Sequence, residues 1–263
     1  TFVASQSNIY EKSTLKQTLN KFEYRPEVSI YGAAEKTDRN WVMIINLDSC
    51  VGCNLCLIAC QLENNIPVVG NGEVRKERDM YWIRVQKYEF NEGKHLLFLP
   101  IMCQQCSSAP CESVCPVGAT SHSSDGLNEM TYNRCIGSRF CMANCPYKVR
   151  KFNFDSSDKV HPNYIQQLTN PLVTVRSRGV AEKCTFCIHR IREAKQKAIL
   201  SGEDESKFTI RTACEEICPT NAIQFGRRKI LDNNEISDQM YQLLTQFNTQ
   251  PNVYFVVKFN NAK

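Results

Sequence analysis

Fifteen cysteines, gathered into four groups, constrain this chain more than any other feature of its sequence. The first group, CVGCNLCLIAC, is spaced x2, x2 and x3, and the second, CQQCSSAPCESVCP, is spaced x2, x4 and x3. The third reads CIGSRFCMANCP, and the fourth joins CTFC to a distant CEEICP. The rest of the chain must therefore fold around four similar loops. In chain order the groups are Cys50, Cys53, Cys56 and Cys60; Cys103, Cys106, Cys111 and Cys115; Cys135, Cys141 and Cys145; and Cys184, Cys187, Cys214 and Cys218.

This spacing is typical of iron–sulfur proteins. Three cysteines in one tight loop can face three irons of a cubane, while a fourth, one helical turn further along, points away. In two-cluster ferredoxins that fourth cysteine ligates the other cluster, and a proline follows it. Because every group ends in C-x3-C, the four groups predict two pairs that exchange their last cysteines.

Zinc and disulfides are the alternatives to iron–sulfur clusters. Zinc sites also use C-x2-C pairs, but usually one site is built from two separated pairs. Three cysteines within residues 50–56 overcrowd that scheme. Disulfides would leave at least one thiol over, because the total is odd.

Ser138 stands where the third group should have its second cysteine. With Ser138 included, the third group reproduces the x2, x2, x3 spacing of the first. A cubane with one corner lacking a thiolate tends to lose that iron, so we expect a three-iron cluster here. The alternative is that Ser138 ligates iron as an alkoxide, at a higher cost than a thiolate. A missing thiolate also removes negative charge beside the metal, which should raise the reduction potential.

Composition and charge set broader limits. A chain of 263 residues with 42% hydrophobic content can bury a sizeable core. The formal charge of +5 counts cysteines as neutral; four clusters with their thiolates would bring it to about −3, so it gives no reason to expect a nucleic-acid partner. No stretch approaches the roughly 18 uninterrupted apolar residues of a membrane span, and the best, HLLFLPIM at 95–102, is broken by Pro100.

The sequence predicts three regions. Residues 1–40 are polar and predict an extended arm, or a linker to a preceding domain or partner. Residues 41–230 hold all the cysteines and predict the four-cluster domain, in which groups 50–60 and 184–218 pair, as do groups 103–115 and 135–145. Residues 231–263 predict a helix and a strand that pack on it.

Hydrophobic periodicity and turn residues predict the elements between the groups. A helix over IHRIREAKQKAIL should end at Gly202 and place Ile188, Ile191 and Ile199 roughly on one buried face. A capped amphipathic helix is predicted to begin near Ser237. The predicted β elements are a strand at 41–48, a hairpin at 78–102 that turns at Asn91-Glu92-Gly93, a smaller hairpin at 119–132 that turns at Asp125-Gly126, and a strand at 253–259.

Four longer segments carry a resemblance to a known family. They are ENNIPVVG at 63–70, RDMYWIR at 78–84, YNRCIGSRFCMANCPYKVRKFNF at 132–154 and TVRSRGVAEKCTFC at 174–187. Over residues 41–259 the chain resembles the iron–sulfur (B) subunit of the quinol-oxidising alternative complex III, within the four-cluster ferredoxin-type subunits of the dimethyl-sulfoxide-reductase superfamily. The resemblance implies an α+β fold with two pseudo-symmetric ferredoxin-like cluster-binding units, β-hairpin insertions and peripheral helices.

The resemblance also implies which cysteines share a cluster. It pairs the first group with the fourth and the second with the third, giving three 4Fe-4S clusters and one 3Fe-4S cluster. Ser138 then lies over the vacant corner of the 3Fe-4S cluster. The implied ligand sets are Cys50, Cys53, Cys56 and Cys218; Cys184, Cys187, Cys214 and Cys60; Cys103, Cys106, Cys111 and Cys145; and, for the 3Fe-4S cluster, Cys135, Cys141 and Cys115.

The function implied by the resemblance is electron transfer, with no bond-making site in the chain itself. Single electrons would pass from quinol, oxidised in an integral membrane subunit, toward haem-containing cytochrome subunits. A molybdopterin-enzyme-like subunit or domain is a further implied partner, and the sequence leaves open whether the chain is a split subunit or a piece of a longer one. The implied location is peripheral on the bacterial inner membrane, on its extracytoplasmic (periplasmic) face. The alternatives are an iron–sulfur subunit of a molybdopterin oxidoreductase and, more remotely, a zinc-stabilised structural module.

Two further sets of residues carry weaker signals. A run of basic residues around the third group could tune a potential or meet a partner, but such a run predicts a solvated face. Histidines without a partner motif predict structural roles rather than ligation. The basic residues are Arg134, Arg139, Lys148, Arg150 and Lys151, and the histidines are His122, His161 and His189.

Overall fold

The computed structural model describes residues 9–11, 19–20, 40–90, 95–154, 169–231 and 239–258. The strands are β1 Ile9–Glu11, β2 Leu19–Asn20, β3 Trp41–Asn46, β4 Arg84–Phe90, β5 His95–Ile101, β6 Thr120–His122, β7 Asn128–Met130, β8 Lys151–Phe152, β9 Ala181–Glu182, β10 Ile223–Arg227, β11 Met240–Leu243 and β12 Val253–Val256. The α-helices are α1 Leu55–Glu63, α2 Asn71–Val74, α3 Pro110–Ser113, α4 Phe140–Asn144, α5 Ile188–Ser201 and α6 Ala213–Glu216.

A five-stranded mixed sheet, in the order β10-β3-β12-β11-β2, forms the base of the fold. β3 pairs antiparallel with β10 and parallel with β12. The strand predicted at 41–48 is confirmed as β3, whose residues 41–45 are all buried, as its uninterrupted apolar run requires. The chain leaves β3 through a turn at Leu47 and enters the first cysteine group.

The predicted hairpin at 78–102 is confirmed as the antiparallel pair β4 and β5. Its turn residues, 91–94, lie outside the described part of the chain. β5 contains Pro100 and lies at the edge of its three-stranded sheet, where a residue without an N–H is tolerated. The smaller predicted hairpin is confirmed as β6 and β7, with Gly126 at a φ of 73° in the turn.

Two short segments of the polar arm pair with the sheets. β1 lies parallel to β4, and β2 lies antiparallel to β11 at the edge of the five-stranded sheet. The remaining residues of 1–39 lie outside the described part of the chain. The arm is therefore attached to the cluster domain at these two places.

The helix predicted between the fourth-group pairs is confirmed as α5, and Gly202 ends it in the left-handed conformation. The predicted buried face is partly wrong. Ile191 and two alanines are buried, but the side chain of Ile199 is 79% exposed. Ala194 and Ala198 form the contact instead, because small residues let the helix lie close to the core.

The prediction of a helix beginning near Ser237 is wrong over the residues of that segment that the structure describes. Ser237 itself lies outside the described residues, and Met240–Leu243 form the strand β11. Met240 and Tyr241 pair with Val256 and Phe255 of β12, so β11 fills the place between β12 and β2. Tertiary strand pairing overrides the weak helical periodicity here. The strand predicted at 253–259 is confirmed over Val253–Val256.

Helices and strands are mixed throughout the described residues, consistent with an α+β fold. The main core joins apolar residues of the sheets, such as Met43 and Phe255, to cysteines of all four groups. The buried cysteines are thus part of the core. No helix in the described ranges combines the length and apolar character of a membrane span.

Candidate functional site: four cysteine-lined sites

The four cysteine loops share one backbone device. In each, the residue before the second ligand position has a positive φ: Gly52 at 67°, Gln105 at 46°, Gly137 at 74° and Phe186 at 55°. Gly137 must be glycine for a further reason, since a Cβ there would lie 2.7 Å from the carbonyl oxygen of Gly179. The same turn precedes Cys53, Cys106, Cys187 and Ser138.

In each group a helix carries the cysteine that comes next after the loop; in the fourth group this helix, α6, comes after α5 in the chain. α1 carries Cys56 and Cys60, one turn apart. α3, α4 and α6 carry Cys111, Cys141 and Cys214, each followed four residues later by the last cysteine of its group. A four-residue step keeps the last thiol on the same side as the preceding one but places it one helical turn further along, beyond the loop that holds the first thiols.

The first site joins three cysteines of the first group to the last cysteine of the fourth. Burial, together with the nearby charges of Cys50, Cys53 and Cys218, raises the pKa of Cys56 to about 12. Cys53 is exposed and the others are half-buried. This site therefore lies near the surface.

The second site joins the rest of the fourth group to Cys60. Burial raises the pKa of Cys60 well above its usual range, and the charges of Cys184, Cys187 and Cys214 add to the effect. All four thiols are buried. Asn64 donates from Nδ2 toward the Sγ atoms of Cys60 and Cys187, at 3.7 and 4.0 Å.

The third site is a cavity lined by Cys103, Cys106, Cys111 and Cys145. All four thiols are buried. Burial raises the pKa of Cys111 to about 11, although the positive charge of Arg150 opposes that rise. The cavity thus combines a desolvated thiol set with a buried cation.

The fourth site is a cavity lined by Cys115, Cys135 and Cys141 together with Ser138. Cys141 is buried, while Cys115 and Cys135 are half-buried. Ser138 and Arg139 are exposed. Like the first site, this one opens toward the surface.

Backbone N–H groups point at several of the sulfurs. Ala119 N donates to Cys115 Sγ at 3.2 Å, and Ala222 N donates to Cys218 Sγ at 3.3 Å. Both donors lie four residues after a cysteine that proline follows. Such bonds favour the thiolate form and are among the means by which a protein tunes a bound cluster.

The donor sets fit iron–sulfur clusters. Three sites offer four cysteines each, and the fourth offers three cysteines and a serine oxygen. All fifteen cysteines are free thiols. At fully buried thiols such as Cys60, Cys106 and Cys214, burial and mutual repulsion raise the pKa and oppose the thiolate form, so bound iron would stabilise these anionic ligands.

Two of the three histidines singled out from the sequence contact carboxylates. His122 contacts Glu112 through Nδ1 at 2.8 Å and the Cys106 carbonyl oxygen through Nε2 at 2.9 Å. His189 contacts Glu63 through Nε2 at 2.6 Å. His161 lies outside the described residues.

The predicted solvated basic face is wrong for one of its members. Arg134, Arg139 and Lys148 are exposed, and Lys151 pairs with Asp79. Arg150, however, is only 3% exposed and reaches into the third site. The charge run alone carries no signal that would single out this residue.

Sequence reasoning also missed a buried ion pair that joins two groups. Arg176 donates to Glu182 Oε2 at 2.9 Å, and both side chains are at most 1% exposed. The same guanidinium donates to the carbonyl oxygens of Asn64 and Asn65, just beyond α1. It thereby ties the end of the first group to β9, which leads into Cys184.

The sites and the fold define an iron–sulfur protein of the ferredoxin type, and comparisons with known proteins identify the family. Two family models, each described as a 4Fe-4S dicluster domain, match residues 49–119 and 94–162. The chain is 40% identical over 230 residues to the menaquinone reductase iron–sulfur cluster-binding subunit of Nitratidesulfovibrio vulgaris, covering 82% of this chain and 88% of that protein.

Two further relatives have similar coverage. One is the Hdr-like menaquinol oxidoreductase iron–sulfur subunit 1 of Archaeoglobus fulgidus, 34% identical over 243 residues, with 82% of this chain and 83% of that protein covered. The other is the putative dimethyl sulfoxide reductase iron–sulfur subunit of Halobacterium salinarum, 31% identical over 239 residues, with 82% and 79% covered. The chain belongs to the iron–sulfur cluster-binding subunits of the menaquinone- and dimethyl-sulfoxide-reductase type, with 4Fe-4S dicluster domains. The family decides against the zinc alternative; the narrower resemblance to alternative complex III stays a prediction.

Proposed function

We propose that this chain relays single electrons between a quinone-reactive membrane subunit and a redox partner, from quinol outward to haem-containing cytochromes. Bound iron–sulfur clusters supply the electron-carrying chemistry. The chain contributes ligands, hydrogen bonds to sulfur and burial. In this proposal it is peripheral on the bacterial inner membrane, at the extracytoplasmic face, in a hetero-oligomer that includes a molybdopterin-enzyme-like subunit or domain.

The observation that carries the proposal is the exchange of last cysteines between groups. Cys218 lies with the first group, and Cys60 lies with the fourth. Cys145 lines the cavity of the second group, and Cys115 lines that of the third. We therefore assign the first three sites to 4Fe-4S clusters and the fourth to a 3Fe-4S cluster.

The backbone around Ser138 supports its place at a vacant corner. Gly137 has the same left-handed φ as Gly52, and the residues after the second positions, Asn54 and Arg139, have φ values of 61° and 63°. Ser138 therefore occupies the place that Cys53 takes in the first group. A site with one thiolate fewer carries less negative charge and accepts an electron more readily, as oxidation of a quinol requires.

The surface exposure of the first and fourth sites, the two outer sites, supports their roles as the points where electrons enter and leave the chain. The second and third sites are built from buried thiols, whereas the first and fourth contain half-buried or exposed ones. Exposed apolar side chains accompany both outer sites: Ile58 and Leu62 on α1, and Ile136 and Phe140 by the fourth site. Such apolar surface beside a redox centre favours contact with other subunits.

A second candidate is an iron–sulfur subunit of a molybdopterin oxidoreductase. It is favoured by the relative named for dimethyl sulfoxide reductase, which covers as much of this chain as the relative named for menaquinone reductase. In that case the partner at one outer site would be a catalytic subunit. Molybdenum in the complex purified with this chain would favour this candidate.

Anaerobic mixing with a quinol tests the proposal. The chain, purified with its associated subunits, is mixed with menadiol while the visible absorbance of the oxidised clusters is followed by stopped flow. We expect bleaching by menadiol, because the fourth site should accept its electrons. The variant Cys135→Ala is the matched control: we expect it to lose bleaching by menadiol but keep bleaching by dithionite at the remaining sites.

Two results would contradict the proposal in different ways. If menadiol fails to bleach the complex but menadione reoxidises the dithionite-reduced sites, electrons flow toward the quinone, as the name of the Nitratidesulfovibrio relative implies for that protein. If neither reagent exchanges electrons with the complex, the quinone-linked function is wrong.

A further inference from the structure

Arg150 is a buried cation that contacts a cysteine sulfur. Its side chain lies just before β8 and is 3% exposed. One guanidinium nitrogen, Nη2, donates to Cys111 Sγ at 3.1 Å and to Asn128 Oδ1 at 3.1 Å. The other, Nη1, donates to Thr120 Oγ1 at 3.1 Å. A longer contact from Nη1 to Met130 Sδ, at 3.8 Å, completes the set, so four partners hold the guanidinium in one orientation.

The position of Arg150 lies between two sites. Arg150 lines the cavity of the third site, and its partner Thr120 lines the cavity of the fourth. Cys111 and Cys103 of the third site and Cys141 of the fourth are close enough for their charges to act on it. The positive charge of Arg150 thus acts on both the third and the fourth site, and its guanidinium contacts a cysteine of the third site directly.

Burial of this charge requires an anionic counterpart. Moving a guanidinium out of water costs several kcal/mol unless a partner compensates it. Among the described residues no carboxylate forms an ion pair with Arg150; Glu112 reaches it only through Asn128, which bonds to both. The Cys111 Sγ is in direct contact with Arg150. As an iron ligand this sulfur would be a thiolate, so Arg150 and the ligand set would neutralise one another.

We infer that Arg150 is a positioning residue that raises the reduction potentials of the third and fourth sites, and the third more than the fourth. This inference rests on the proposed function, because it presumes that both sites hold iron–sulfur clusters. Reduction adds one negative charge to a site, and a fixed cation in a medium of low dielectric stabilises that charge. A charged hydrogen bond to a ligand sulfur acts in the same direction.

Two substitutions separate the charge of Arg150 from its ability to donate hydrogen bonds. In Arg150→Gln the amide can still donate to sulfur, whereas Arg150→Lys keeps the charge. We expect the glutamine variant to be at least tenfold harder to reduce at the third site, a fall of about 59 mV for a one-electron couple. We expect a smaller fall at the fourth site and potentials near wild type in the lysine variant.

Two further variants serve as controls. Arg134→Gln removes an exposed arginine next to Cys135, and we expect no shift because water screens that charge. Glu112→Gln removes the carboxylate that Asn128 links to Arg150, and we expect the potential of the third site to rise. Potentials are read by redox titration followed by electron paramagnetic resonance, with the iron content of each variant measured in the same samples.

The outcomes separate this inference from the proposed function. Unchanged potentials in Arg150→Gln at full iron content would overturn the role of Arg150, as would equal shifts in the glutamine and lysine variants. If Arg150→Gln fails to hold iron, Glu112→Gln decides: a raised potential supports the inference, and an unchanged one overturns it. Wild-type protein without clusters would overturn the proposed function instead.

Discussion

Replacing Glu182 with alanine is expected to lower the free energy of unfolding by about 3–5 kcal/mol. The change leaves the Arg176 guanidinium buried without its carboxylate, and both side chains are almost fully inaccessible. Arg176 also holds the carbonyl oxygens of Asn64 and Asn65, so its displacement would loosen the end of the first group. The measurement is the denaturant midpoint at which the iron-loaded protein loses its visible absorbance.

Two companion variants make this prediction specific. The double variant Arg176→Met/Glu182→Leu removes both charges, and we expect it to recover part of the loss, because no buried charge remains unpaired. Glu193→Ala breaks the exposed pair with Lys197, and we expect no measurable change. An unchanged midpoint in Glu182→Ala, or a double variant less stable than it, would show that the ion pair does not brace the two groups.

Replacing Cys115 or Cys145 with alanine is expected to alter the cluster held mainly by the other cysteine group, not the cluster held by its own group. Cys145 follows Cys141 by four residues but lines the cavity of the second group. Cys115 likewise belongs to the second group in sequence and lines the cavity of the third. We expect Cys115→Ala to lose the paramagnetic three-iron signal with roughly three irons. We expect Cys145→Ala to keep that signal, to lose roughly one iron, and to gain a second three-iron signal from the third site.

This pair of variants is its own control, since each removes one thiol of similar chemistry from the same part of the fold. Iron analysis and electron paramagnetic resonance of the oxidised protein give the result. If Cys145→Ala loses the three-iron signal while Cys115→Ala keeps it, each cluster is ligated within one group, and the exchange of last cysteines is wrong.

The sequence predicted the four loops and most elements near them because short-range signals determine these features. The buried strand at Trp41–Asn46, both hairpins and the helix ended by Gly202 follow from apolar runs, turn residues and a left-handed cap. Cysteine spacing predicted the cofactor class for the same reason. These features depend on residues only a few positions apart.

The errors arose where distant residues decide the structure. Met240–Leu243 is a strand because β12 and β2 lie on either side of it, and no local pattern contains that information. Arg150 is buried because it finds Cys111 and Asn128, which lie 39 and 22 residues away. A run of basic residues does not show in the sequence which of its members faces water and which is buried beside cysteines.

The central claim is that the chain holds four clusters and that Ser138 marks a vacant iron corner. The most direct test is low-temperature electron paramagnetic resonance of the oxidised protein, with an iron count, for the wild type and for Ser138→Cys. Oxidised four-iron cubanes of this type are silent, whereas an oxidised three-iron cluster is paramagnetic. The account predicts about one spin and fifteen irons per wild-type chain, and a silent spectrum with about sixteen irons in Ser138→Cys. A silent wild-type spectrum with about sixteen irons would contradict it, because the fourth corner would then be filled despite the serine.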